Sequence, residues 1–121
     1  MRARVLHDFG SLQNSSYSFL YPYMNVRKES RLILYGAGAV GRSIMTYLMT
    51  SVDYTVVAWI DSNVSGETID GWVIGSVDDV NQLTYDYIVL ATNKLAYSHE
   101  MRMSLIARGV GEDKIAEMSQ E

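Results

Sequence analysis

The chain has no cysteine and a single proline, Pro22, in 121 residues. Without cysteine there is no disulfide framework and no thiolate metal site, which fits a reducing cytoplasm. Positive charge is also scarce: ten Lys and Arg stand against fourteen Asp and Glu, a formal net charge of −4. That balance argues against nucleic acid as the main partner. The basic group Arg27-Lys28 and Arg31 reads as a solvated lead-in to a strand. No apolar run approaches membrane-spanning length, and the first residues lack the apolar core of a signal peptide. The expectation is a soluble, cytoplasmic domain. Nearly half the residues, 48%, are hydrophobic, and the length suits one domain around one core.

The most informative stretch runs from Arg31 to Asp61. Leu32-Ile33-Leu34-Tyr35 is an apolar run of strand length, and Gly36-Ala37-Gly38-Ala39-Val40-Gly41 follows it as a Gly-x-Gly-x-x-Gly turn. Val40, Ile44 and Leu48 then recur four apart, as on one face of a helix. A second apolar, β-branched run, Val56-Val57-Ala58-Trp59-Ile60, ends in Asp61. This is a βαβ unit carrying a dinucleotide-binding fingerprint in its proper context. Gly36 lets the chain leave the strand in a conformation that a Cβ opposes. Gly38 clears the place where a pyrophosphate approaches the backbone, and Gly41 lets the helix pack closely on the first strand. The amides of the first helical turn, including Ala39 and Val40, and the positive end of the helix dipole face the phosphates. Asp61 stands where an acid accepts hydrogen bonds from both hydroxyls of an adenosine ribose. Ser62 and Asn63 come next with no Arg nearby to hold a 2′-phosphate, so NAD is favoured over NADP.

The rest of the chain fits around that unit. Residues 1–30 form an N-terminal lead and aromatic arm, and residues 31–121 form the nucleotide-binding domain. In the lead, Tyr17-Ser18-Phe19-Leu20-Tyr21-Pro22-Tyr23-Met24 is either an arm packing its aromatics on the domain's own surface or an interface to another domain or subunit through residues 17–24. After Asp61, Gly66, Gly71 and Gly75 bracket Thr68-Ile69 and Trp72-Val73-Ile74, a small β excursion or short third strand. Ser76-Val77-Asp78-Asp79 has capping-box spacing and begins a short helix burying Val77, Val80 and Leu83. Tyr85 to Ala91 is a buried strand, the fourth in a doubly wound order. A helix spans Lys94 to Arg108, with Leu95, His99, Met103 and Ile106 near one face. Gly109 stops it, Val110 supplies the apolar contact that follows such a stop, and Lys114 to Met118 is a short fifth strand. The expected fold is α/β: a Rossmann-like, three-layer α/β/α arrangement with a mostly parallel sheet in the order 3-2-1-4-5. In that order the crevice lies between strands one and four at their carboxyl ends, so Thr92 and Asn93, with Lys94 as a further candidate, border it opposite Gly36 to Gly41. Asn93 equally suits the N-cap of the following helix.

Candidates for catalysis are few. His99 has no acid or second His at ligand spacing, and His7 has only Asp8 beside it. No Gly-x-Ser-x-Gly elbow is present, and no tyrosine has a lysine four residues on, so the Tyr-x-x-x-Lys pair of short-chain dehydrogenases is missing. Neither a catalytic nor a metal-binding residue is assigned.

From about Tyr17 onward the chain resembles the small Rossmann-like domains of bacterial surface-polysaccharide biosynthesis. Such domains are appended to glycosyltransferases, and form the N-terminal part of sugar-nucleotide epimerase/dehydratases and sugar acyltransferases. The matching residues are Tyr21-Pro22, the Leu34 to Gly41 turn, Ala58-Trp59-Ile60-Asp61, Ile69-Asp70-Gly71-Trp72-x-Ile74, Tyr85 to Ala91, and Gly109-Val110 followed by Lys114-Ile115. The resemblance implies NAD as ligand by way of the epimerase/dehydratase relatives, or a UDP-sugar by way of the acyltransferases. The resulting expectation is a nucleotide-binding module of sugar-nucleotide or polysaccharide metabolism. The alternatives are a truncated NAD-dependent sugar-nucleotide dehydrogenase or epimerase, and a degenerate scaffold that mediates assembly through the aromatic arm.

Overall fold

The computed structural model describes residues 20, 22–23 and 25–118. His7, the remaining residues of the aromatic segment and the last three residues lie outside the described residues. Strand β1 (Ser30–Tyr35) leads through the glycine turn into helix α1 (Ala39–Thr50), and strand β2 (Tyr54–Ile60) returns beside β1. A hairpin of β3 (Thr68–Ile69) and β4 (Trp72–Val73) follows, then a 3₁₀ helix over Val77–Gln82. Strand β5 (Tyr87–Leu90), helix α2 (Leu95–Ala107), a 3₁₀ turn at Glu112–Lys114 and strand β6 (Ile115–Ala116) complete the elements of the described residues.

The main sheet has four strands in the order β2-β1-β5-β6, all parallel. Because side chains alternate along a strand, β1 and β5 feed two cores. Leu32, Leu34 and Val89 face α1, where Ile44, Met45 and Leu48 close one core. Ile33, Tyr35, Ile88 and Leu90 face the other way, against Leu105 of α2 and Val77 and Val80 of the 3₁₀ helix. The result is a mixed α/β fold with a parallel sheet between helical layers. Burying each large aliphatic side chain in these layers contributes about 1.5–3 kcal/mol.

The expected third strand is absent from the sheet. Asp70 and Gly71 both have positive φ, 51° and 88°, the requirement of a type I′ hairpin turn. They fold Thr68–Ile69 back on Trp72–Val73 as an antiparallel pair. Only one parallel bridge, Ile60 to Gly75, remains where a third strand would lie. The expected order 3-2-1-4-5 is therefore corrected to a four-stranded sheet, because this segment spends its residues on the hairpin.

The capping box forms as spaced: the Ser76 hydroxyl accepts from the Asp78 amide, and Asp79 Oδ2 accepts from the Ser76 amide at 3.0 Å. The helix it starts is 3₁₀ rather than α. Helix α2 turns differently from the expected face. Leu95 and Met103 are exposed, at 64% and 48%, while Ser98 and Leu105 are buried. Glu117 braces that facing by accepting from the Ser98 hydroxyl at 2.8 Å and from Arg102 Nε at 2.9 Å, while Leu105, with Met101 and Ile106, packs into the core.

Ahead of β1, Leu20, Tyr23 and Val26 are fully buried in the core on the α1 side. The Tyr23 hydroxyl donates to the Leu90 carbonyl at 2.8 Å. Burial pushes the Tyr23 phenol's pKa well above its usual value, so it stays protonated and donates. Of the segment 17–24 that could form an interface, described residues Leu20 and Tyr23 thus point into this chain's own core. Among the described residues, no helix is long and apolar enough to cross a membrane.

Candidate functional site

The carboxyl ends of β1, β2 and β5 open on one crevice of about 530 Å³, within the usual size range of small-molecule sites. Of the residues singled out in the sequence, Gly36, Gly38, Ala39, Val40, Asp61, Thr92 and Asn93 line it. Ala37 and Gly41 do not: both are buried in the turn behind it. The sequence reading missed the far wall, Tyr97, Glu100 and Met101 from the first turns of α2. Their spacing of three and four residues on a helix starting beside the crevice was the available signal.

The three glycines of the turn stand on different footings. Gly36 has φ +123°, and a Cβ there would meet the Ala91 carbonyl oxygen at 3.1 Å. A Cβ at Gly41 would overlap the Gly36 carbonyl. Both positions are glycine because the fold demands it. Gly38 is not so constrained. Its backbone is extended, with φ −84°, and a Cβ there would have nothing within 4 Å. A side chain at Gly38 would simply fill the exposed space above the turn.

Helix α1 begins at that point with Gly38 as its N-cap, no side-chain cap and no acidic residue in the first turn. The first-turn amides have no intrahelical partner, and no acidic side chain within that turn offsets the positive end of the dipole.

The turn is held from β2. The Gly36 amide donates to the Ile60 carbonyl at 2.8 Å. The Trp59 indole Nε1–H donates to the Gly36 carbonyl at 2.7 Å, and the Ala37 amide donates to Asp61 Oδ2 at 2.8 Å. Asp61 Oδ1 also accepts from the Asn63 and Val64 amides, at 2.7 and 3.1 Å. A carboxylate has about four acceptor positions, and three are used here. Asp61 has room for one further donor, where the sequence reading assigned it both hydroxyls of a ribose.

On the β5 side, Thr92 Oγ1 accepts from the Lys94 amide at 3.1 Å. The N-cap of α2 is Lys94, without a side-chain cap, so Asn93 is not the cap that its residue type suggested; it stays exposed on the crevice wall. Lys94 is the cationic residue of the lining among the described residues. No cluster of three or more His, Asp or Glu suited to a metal ion occurs among the described residues, and His99 lies exposed on α2.

The model of the family described as "C2185-like, N-terminal" matches residues 28–116, from just before β1 to the end of β6. The chain belongs to the C2185-like N-terminal family. No curated protein matches it. Among solved structures this C2185-like domain is similar to RSP, a Rex-family repressor, at 19% identity and a TM-score of 0.52. The likeness covers 75% of this chain and 53% of the repressor's, so the domain spans about half of that protein. At that identity the similarity is one of fold alone.

The match overturns the resemblance to polysaccharide-biosynthesis domains. Several of the residues that carried it are ones the fold itself requires: Gly36 and Gly41 by sterics, Asp70-Gly71 by the hairpin turn, and Gly109 by its φ of +89°. They mark an architecture rather than a pathway.

Proposed function

We propose that this domain binds a nicotinamide dinucleotide, NAD or NADH, in the crevice at the carboxyl end of its sheet, in the manner of a Rossmann-like fold shortened by its third strand. The observation that carries this reading is Gly38. Neither backbone conformation nor packing calls for glycine there, yet a side chain would occupy the space in front of the uncapped start of α1. A ligand whose phosphates lie against the backbone accounts for the missing Cβ. Gly38, Ala39 and Val40 would hold the pyrophosphate, and the remaining acceptor position of Asp61 would take a ribose hydroxyl. Thr92, Asn93 and Lys94 would border the other half of the ligand. NAD is favoured over NADP because the side chain at the end of β2 is an acid, Asp61, while the cationic Lys94 lies past the end of β5, beyond β1.

The test is a titration of the purified chain with NADH, NADPH and UDP-N-acetylglucosamine, followed by calorimetry. Saturable binding of NADH with weaker binding of NADPH is expected. Preference for the UDP-sugar, or silence from all three, would contradict the reading.

A further inference from the structure

Trp59 and Asp61 sit two residues apart at the end of β2, so their side chains leave the same face of the strand. They hold the two poles of a single peptide group. The Gly36 carbonyl accepts from the Trp59 indole, and the amide of that same peptide, on Ala37, donates to Asp61. Trp59 is 1% exposed and does not line the crevice. Its ring is braced edge-on by Trp72 of the hairpin, at 6.4 Å between centroids and 84° between planes.

The preceding residue, Gly36, lacks the Cβ that would resist rotation of this peptide. Turned over, the group would swing its carbonyl oxygen away from Trp59 and from its place against Gly41 toward Asp61, on the crevice side, where an acceptor dipole would oppose an anion. We propose that Trp59 and Asp61 together form a clamp that fixes the Gly36–Ala37 peptide in the orientation that admits phosphate, Trp59 being a positioning residue that never touches the ligand. This rests on the nucleotide-binding reading above. It also gives Asp61 a role toward phosphate, distinct from any contact with a ribose.

The ribose-free probe inorganic pyrophosphate separates the two roles. An acid that only binds ribose does nothing for pyrophosphate. Removing its charge beside an anion would, on Coulomb grounds alone, tighten binding. The clamp demands the reverse. In Trp59→Phe and Asp61→Ala, with folding verified by circular dichroism, affinity for pyrophosphate should fall about tenfold, the loss of one buried hydrogen bond. Unchanged affinity in Trp59→Phe, or tighter binding in Asp61→Ala, overturns the proposal. A second measurement needs no ligand and uses Trp59→Phe alone. Amide hydrogen exchange at Ala37 should accelerate at least tenfold while Ile33 and Leu34 in β1 stay protected; unchanged exchange at Ala37 overturns the clamp. Failure of the wild-type chain to bind both NADH and pyrophosphate would instead sink the nucleotide reading, and with it the phosphate half of this proposal.

Discussion

The side of Gly41 that would carry a Cβ is filled by the carbonyl group of Gly36. The third glycine of the turn is thus a packing residue, joining the first turn of α1 to the end of β1. The Gly36 oxygen is also fixed by the Trp59 indole, which donates to it at 2.7 Å. Gly41→Ala should therefore destabilise the domain by about 3 kcal/mol or more, at the upper end of overpacking effects. Thermal or urea unfolding checks this, and a loss below about 1 kcal/mol would mean that helix and turn can part freely.

Tyr23 ties the segment before β1 to the sheet through its hydroxyl and the Leu90 carbonyl. Tyr23→Phe keeps the ring in the core and removes only that bond. Stability should drop by about 1 kcal/mol, with a cooperative unfolding transition retained. A variant as stable as the parent would show that water or another group replaces the hydroxyl without cost.

Glu117 supplies a pH-dependent brace for α2. Its pKa is lowered, chiefly by the hydrogen bond from Ser98 and then by Arg102, with desolvation opposing them. A carboxylate depressed in the folded state stabilises at pH above its unfolded value, and that contribution fades as pH falls through the folded one. The melting temperature of the parent should therefore exceed that of Glu117→Gln near pH 7, and the gap should narrow progressively below about pH 4.5. A gap independent of pH would assign the effect to packing rather than charge.

Much of this was legible in the sequence because local rules were unopposed. The strand, glycine turn and helix from Leu32 to Leu48 carry a clear period. The Ser76–Asp79 capping box formed as its spacing implied, although the helix beyond it tightened to 3₁₀. The third strand was misjudged because Asp70-Gly71 is itself a strong hairpin signal, and the residues between Ile69 and Gly75 go into the hairpin, leaving only the Gly75 bridge beside β2. The facing of α2 was hidden for another reason. Leu95 and Met103 are as apolar as Leu105, and the face that is buried depends on tertiary partners: the core around Leu105, and Glu117, which reaches Ser98 and Arg102 from beyond β6. Asp61 shows the same limit at the site. Residue type and spacing put it in the crevice, but its three amide partners depend on the path of residues 62–64 and on the Gly36–Ala37 peptide. Trp59 gave only a positional hint, its place two residues before an acid on the same strand face.

The central claim rests on Gly38, and the most direct test is NADH titration of Gly38→Val beside the parent chain. Space around a Cβ at this position is open, so the variant should unfold within about 1 kcal/mol of the parent, as surface changes do. Its affinity for NADH should fall at least about a hundredfold, some 2.7 kcal/mol, because the side chain occupies the place of the phosphates. Undiminished binding of NADH by a folded Gly38→Val would contradict the account.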